Sequence, residues 1–368
     1  MTYDAPVITG GPRGTFAWGV IHERNPAIAA EVRDALPYGP DVRRRLDALA
    51  EEITEGVMTP PAAGAHERRA WLEWGGDWFG RPWADAPFLG AESYFFHRLL
   101  DAAGYFGPGP WRGVDPFAGR KAAELSGDAL DVVARLDDLP AADRDTAVLR
   151  AALWGNRADL AFRTAAGHRP GAAGLLADDG ARVWSLLDAR PGGTVHVVAD
   201  NAAGELAADL ALIDHLLATG RAAEVVLHLK PRPYYVSDAT PADVPPLLRR
   251  LPSRLWSALT SGRVRLTAHP FFCTPLGFAA MPADLRAQFA AATLTILKGD
   301  LNHRRLVGDR YWPAPTPFTE LTAYFPSPVA SLRVLKSDVA VGLSGPVPAD
   351  PSWRTSGSHA VIQVNAAR

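Results

Sequence analysis

The chain has 368 residues, a length that suits two domains or one large domain with an appendage. Apolar residues make up 48%, and Lys+Arg 38 against Asp+Glu 40 leave a formal net charge of −2, which removes any bulk electrostatic case for nucleic acid or an anionic membrane. Cys273 is the single cysteine, so an internal disulfide and cysteine metal clusters are excluded. No apolar run approaches the ~20 residues of a membrane span, and Met1-Thr-Tyr-Asp-Ala-Pro6 lacks the basic and apolar regions of a signal peptide. A reducing, cytoplasmic setting is expected.

The first 175 residues read as a helical domain from their apolar periodicity. Asn25-Pro26 offers a cap and a first-turn proline before a helix over Ala27–Leu36. A second helix is expected over Asp41–Glu55, stopped by Gly56, and a third over His66–Trp74. Phe88, Glu92, Phe95, Phe96 and Leu99 fall at helical spacing within Asp85–Ala103, and Pro116–Leu125 and Ala141–Phe162 continue the pattern. Trp71, Trp74, Trp78 and Trp83 are read as core or inter-domain packing, an aromatic ligand surface being the alternative. The Gly/Ala stretch Ala165–Gly174 reads as a linker.

From about Gly180 the pattern changes. Short β-rich runs occur at Val195–Ala199, Val225–Leu229, Val264–Ala268, Leu294–Leu297, Leu332–Leu335 and Val361–Val364. Helical patterns at Ala203–Leu217, Val244–Leu259 and Ala283–Ala292 separate several of them. This alternation predicts an α/β fold: an α/β/α sandwich over 176–368 with a largely parallel, Rossmann-like sheet.

Polar residues follow these strands with regularity. Asp200, Asn201 and, a turn later, Glu205 come after the first run; Lys230, Ser237 and Asp238 come after the second. The fourth ends in Lys298-Gly299-Asp300-Leu-Asn302-His-Arg304-Arg305, and the fifth leads to Arg333 and Lys336. In an open α/β sheet ligands bind beyond the carboxyl ends of the strands. Asn201 alone could equally cap the next helix. Asp200, Asn201 and Asp238 are hard oxygen donors, a set suited to magnesium or manganese rather than zinc. Lys298, Arg304, Arg305 and Lys336 are the cations that a phosphoryl group requires. Asp300 and Asn302 would hydrogen-bond sugar hydroxyls or cap the following helix, and Gly299 permits close backbone approach.

Together the motifs Asp200-Asn201-x-x-x-Glu205, His228-x-Lys230-x-x-Pro233-x-x-Val236-Ser237-Asp238 and Lys298-Gly-Asp-Leu-Asn-x-Arg304 resemble the metal-dependent damage-control phosphatases. The branch resembled is the one that includes the acidic-residue methyltransferase-like proteins. Leu153-Trp-Gly-Asn156-Arg157-x-Asp159-Leu, Asp115-Pro-Phe117 and Glu92 extend the likeness over nearly the whole chain. Two positions depart from the family pattern. Ala203 stands where glycine is usual, with Gly204 next, and the Arg-Thr-x-Lys motif appears as Arg333-Val334-Leu335-Lys336.

The resemblance implies a helical N-terminal domain on an α/β/α domain. It implies that Asp200, Asn201 and Asp238 carry a metal, that Glu205 shares their pocket as part of the catalytic set, and that Asp300, Asn302, Arg304 and Lys336 contact the phosphorylated substrate. Lys298 joins these as a further phosphate cation. Asn156 and Arg157 are expected either to wall the site or to make structural contacts. The expected activity is hydrolysis of small phosphorylated metabolites, sugar phosphates such as fructose phosphates foremost, with Mn2+, Mg2+, Co2+ or Ni2+ as the divalent metal. Two alternatives are an S-adenosylmethionine-dependent carboxyl methyltransferase and a non-catalytic sugar-phosphate sensor. Neither nucleic acid nor membrane is an expected partner, and the oligomeric state is left open.

Overall fold

A computed structural model describes residues 5–125, 130, 135–136, 138–155 and 174–366. Asn156, Arg157, the end of the helix predicted over Ala141–Phe162 and nearly all of the predicted linker lie outside the described residues.

Seven strands form one sheet: β1 (Leu175–Asp178), β2 (Gly193–Val198), β3 (Ala222–His228), β4 (Val264–Thr267), β5 (Leu294–Lys298), β6 (Val329–Val334) and β7 (Ala360–Asn365). Their order is β1-β7-β6-β5-β2-β3-β4. All neighbours run parallel except β6 and β7. Six strands were legible in sequence. The edge strand β1 and the helix Gly180–Asp188 were not, because four residues, Leu-Leu-Ala-Asp, carry too short a pattern to stand out.

Both sheet faces are covered, which is why the strands read as unbroken apolar runs. Val195, Val197, Leu294 and Ile296 pack in one core with helices Ala141–Trp154, Gly180–Asp188 and Ala203–Ala218. Val198, Leu297 and Val329 face the other core, which is continuous with the N-terminal helices through Phe88, Phe95 and Phe96. On this second face His196 Nδ1 lies 2.8 Å from His228 Nε2, against the ring of Phe289.

The helices follow their caps and breakers closely. Pro40–Glu55 stops at Gly56, and Phe88–Ala103 ends at Gly104, which takes a left-handed φ of 85°. The helix predicted over Val244–Leu259 is two, Val244–Leu248 and Ser253–Thr260, divided before Pro252. Asn25 is not a cap. Thr15 caps a helix at Phe16–Gly19, a π-helical turn covers Val20–Arg24, and Asn25–Ala35 continues from it. Pro26 has no N–H, and its ring would crowd a carbonyl one turn back; the wider turn, in which Asn25 N–H reaches Val20 O, accommodates it. Among the described residues no helix is long and apolar enough to cross a membrane.

Candidate functional site

The chain runs from β2 to β3 and β4 on one side, then returns to β5 on the other side of β2. The crevice beyond the carboxyl ends of β2 and β5 is therefore the topological switch point, where such sheets bind ligands. Asp200 and Asn201 leave β2 on one side of it; Gly299 and Asp300 leave β5 on the other.

Two backbone features seat the acids. The loop after β3 folds back so that Asn201 and Asp238 form an antiparallel bridge, with Ala202 N–H donating to Ser237 O at 2.7 Å and Ala239 N–H to Asp200 O at 2.9 Å. Gly299 has φ of 83°, and a Cβ there would overlap the Asp200 carboxylate. Only glycine lets the two strand ends close up. Asp200 and Asp238 are almost fully buried. The buried Lys230 ammonium lies 3.8 Å from Asp200 Oδ1 and 3.9 Å from Asp238 Oδ1, and donates to Ala199 O at 3.1 Å.

Burial pushes the Asp200 carboxyl up to about 8; Glu205 and Asp238 add to the rise, while Lys230 and Lys336 oppose it. A carboxylate so placed favours a cation beside it. Asn201 is oriented to help. Its Nδ2 donates to Asp200 Oδ2 at 3.2 Å and to Glu205 Oε2 at 3.0 Å, leaving Oδ1 without a hydrogen bond among the described residues. Ala202, not Asn201, occupies the cap position of the helix Ala203–Ala218. Two buried carboxylates and one amide oxygen, all hard donors, fit a small divalent ion whose remaining ligands are water and substrate. No group of three or more His, Cys, Asp or Glu that could hold an ion occurs among the described residues, so any such set here is the mixed Asp/Asn/Asp one.

The other expected residues divide. Lys336 is exposed at the cleft, with no ion pair among the described residues. Asp300 lines the cleft too; its Oδ1 accepts from Arg333 Nε at 2.8 Å, Ser337 Oγ at 3.1 Å and Lys336 N–H at 3.2 Å. Arg304 reaches the cleft but is committed elsewhere: Nη1 donates to Glu92 at 2.9 Å, Nε and Nη2 to Asp309 at 2.7 and 3.1 Å.

Three residues point away. Lys298 is fully buried against Asp209 at 2.7 Å and Glu205 at 3.4 Å. Asn302 is fully buried, with Nδ2 donating to Ala199 O and Lys298 O at 3.2 and 2.8 Å; it ties β2 to β5 and does not line the cleft. Arg305 donates to the carbonyls of Leu276 and Phe271 in the core. Asp209 was missed in the sequence, although a carboxylate within an Ala/Leu-rich helix signals a buried cation.

The cleft has two adjoining lobes, of about 210 and 280 Å³, which share Asp200, Asn201, Ser237, Asp300 and Lys336. The first is walled by Leu153, Trp154 and Val334, with Glu124 and Glu205. The second is walled by the N-terminal helices through Arg24, Glu92 and Arg120. Val334 stands where the resembled family has threonine, so that wall is apolar here.

Comparison with known proteins agrees with this architecture. The chain is similar to the zebrafish (Danio rerio) damage-control phosphatase ARMT1, 27% identical over 96% of this chain and 95% of that one. It is 28% identical to the Mus musculus protein of the same name over 99% of each chain. A solved structure of a DUF89 family protein from Pyrococcus horikoshii superposes with a TM-score of 0.55 at 17% identity, covering 95% of this chain and 97% of that one, a likeness of fold. The model of the damage-control phosphatase ARMT1-like domain matches residues 20–350. With nearly the whole chain matched, from the π-helical turn to the loops beyond β6, the chain belongs to the ARMT1-like damage-control phosphatases.

Proposed function

We propose that this phosphatase depends on a divalent metal held by Asp200, Asn201 and Asp238, and that it hydrolyses small sugar phosphates, fructose phosphates among them. The observation that carries the reading is the convergence of these three oxygen donors at the switch-point crevice, beside an exposed Lys336 that has no ion pair among the described residues. When bound, such an ion polarises a phosphoryl oxygen and draws charge from it.

The chain's own residues do the rest. Lys336 meets the phosphoryl oxygens as a point charge. The Arg333–Asp300 pair fixes the loop that carries Lys336, since Asp300 Oδ1 also accepts from the Lys336 backbone. Asp300 and Glu205 offer carboxylate oxygens to sugar hydroxyls, and Trp154 with Val334 gives the sugar an apolar wall that excludes water. Specificity then resides in the first lobe and phosphate recognition at Lys336.

The test is a screen of sugar phosphates with Mn2+, Mg2+, Co2+ and Ni2+, run on the parent, Asp238→Asn and Lys336→Ala. Asp238→Asn keeps the oxygen that accepts from Tyr235 N–H at 3.0 Å, so the loop should survive. Turnover and calorimetric metal binding are both expected to fall by at least ~100-fold, or about 2.7 kcal/mol. Lys336→Ala should weaken all sugar phosphates by similar factors. Undiminished turnover in Asp238→Asn, or full turnover in chelator, would overturn the reading.

A further inference from the structure

The charges around the cleft are unevenly matched. Lys230 faces both Asp200 and Asp238, Lys298 both Glu205 and Asp209, and Arg304 both Glu92 and Asp309. Each of three buried cations thus serves two carboxylates. A cleft built this way repels a dianionic phosphoryl group even after a divalent ion has been added. Cations not already shared are required. Lys336 supplies one, and a second has to come from elsewhere on the wall.

The second lobe contains it. Arg24 lines this lobe together with Asp200, Asp238 and Lys336, and its guanidinium makes no hydrogen bond or ion pair among the described residues. Arg120, on the same wall, is engaged by Glu31 and Glu124. Arg24 is the last residue of the π-helical turn Val20–Arg24, and Val20, Ile21 and Asn25 around it are buried. Its backbone is thereby anchored while its side chain stays exposed at the lobe. Single π-helical turns recur at functional sites. Here the turn accommodates Pro26 and ends on Arg24.

We propose that Arg24 is a substrate-binding residue: its guanidinium, delivered by the N-terminal helices, binds the phosphoryl group jointly with Lys336. The inference rests on the phosphatase reading for its substrate and extends it by naming a ligand from the helical layer. A planar guanidinium donating two hydrogen bonds suits the non-bridging oxygens of a phosphoryl group, as an ammonium alone does not.

Inorganic phosphate is the probe. Its binding to the metal-supplemented parent, Arg24→Ala and Arg24→Lys is measured by calorimetry, and its competition against p-nitrophenyl phosphate hydrolysis is followed in parallel. Charge-assisted hydrogen bonds of this kind make a loss of about 10- to 100-fold in phosphate affinity the expected result for Arg24→Ala. Partial recovery is expected in Arg24→Lys, with an unfolding midpoint unchanged in both because the exposed Arg24 side chain makes no hydrogen bond or ion pair among the described residues. Phosphate affinity within about twofold of the parent in Arg24→Ala overturns the proposal, and so does a loss that Arg24→Ala shows only together with a lowered unfolding midpoint. Absence of phosphate-ester hydrolysis by the parent with every metal defeats the phosphatase reading instead. Calorimetric phosphate binding still decides the role of Arg24 in that event.

Discussion

Gly299→Ala is the sharpest perturbation the cleft offers. The residue has φ of 83°, and the added Cβ would lie 2.6 Å from Asp200 Cβ and overlap its carboxylate. The backbone on neither side can yield. β2 and β5 are paired in parallel up to Val198 and Leu297, Asn302 bridges Ala199 O and Lys298 O, and Ala239 N–H holds Asp200 O. The Asp200 carboxylate must therefore swing out of place. A left-handed alanine costs about 1–2 kcal/mol and forced overpacking a further 1–3 kcal/mol, so a loss of roughly 2–5 kcal/mol in unfolding free energy is expected. Manganese affinity measured by calorimetry should fall by at least ~10-fold, because the displaced oxygen is one of the proposed donors. Denaturant titration of Gly299→Ala, Asp200→Gly and the double variant isolates the clash. In the Asp200→Gly background only the dihedral penalty of about 1–2 kcal/mol should remain. Stability within about 0.5 kcal/mol of the parent and unchanged manganese binding in Gly299→Ala would refute the reasoning.

Two further expectations follow from buried charge. Arg304→Ala strands the carboxylates of Glu92 and Asp309, whose side chains are 5% and 8% exposed; a loss of about 3–5 kcal/mol in stability is expected. A folded, normally stable Arg304→Ala with only weakened substrate binding would contradict this. Acid should destabilise the chain through the His196–His228 pair. Burial depresses His196 to about 4 and His228 well below its usual value. The folded state then binds fewer protons than the unfolded one between about pH 6.5 and 4, so this contribution is complete above pH 6.5 and is lost as pH falls. For His196 it amounts to at most about 3 kcal/mol. Measured as the parent minus His196→Gln across that window, a flat difference would count against it.

Much of this was legible in the sequence, and the exceptions share a cause. Strand and helix positions follow from periodicity, and of the polar residues that follow β2, β3, β5 and β6, Asp200, Asn201, Asp238, Asp300 and Lys336 line one cleft. Which way each side chain points was not legible. Lys298 and Lys336 stand in similar relation to a strand end, yet one is buried under the helix Ala203–Ala218 and the other is exposed at the cleft. The difference lies with Asp209, a partner 89 residues away in sequence that only the tertiary packing identifies. Arg24 was invisible for the same reason. It comes from a turn whose position relative to the sheet is set by packing of the helical layer through Phe88, Phe95 and Phe96.

Lys230 has a bearing on how the proposed metal site would tolerate losing an ion. Its ammonium cross-braces the two acid-bearing loops from inside, holding Ala199 O and standing between Asp200 and Asp238. Many small metal sites are shaped by the metal itself and collapse when it is withdrawn. The acids of this cleft are held apart by a permanent, covalently attached charge, so the chain itself sets their spacing. An ion bound at the proposed site would then be exchangeable for another without unfolding its lodging.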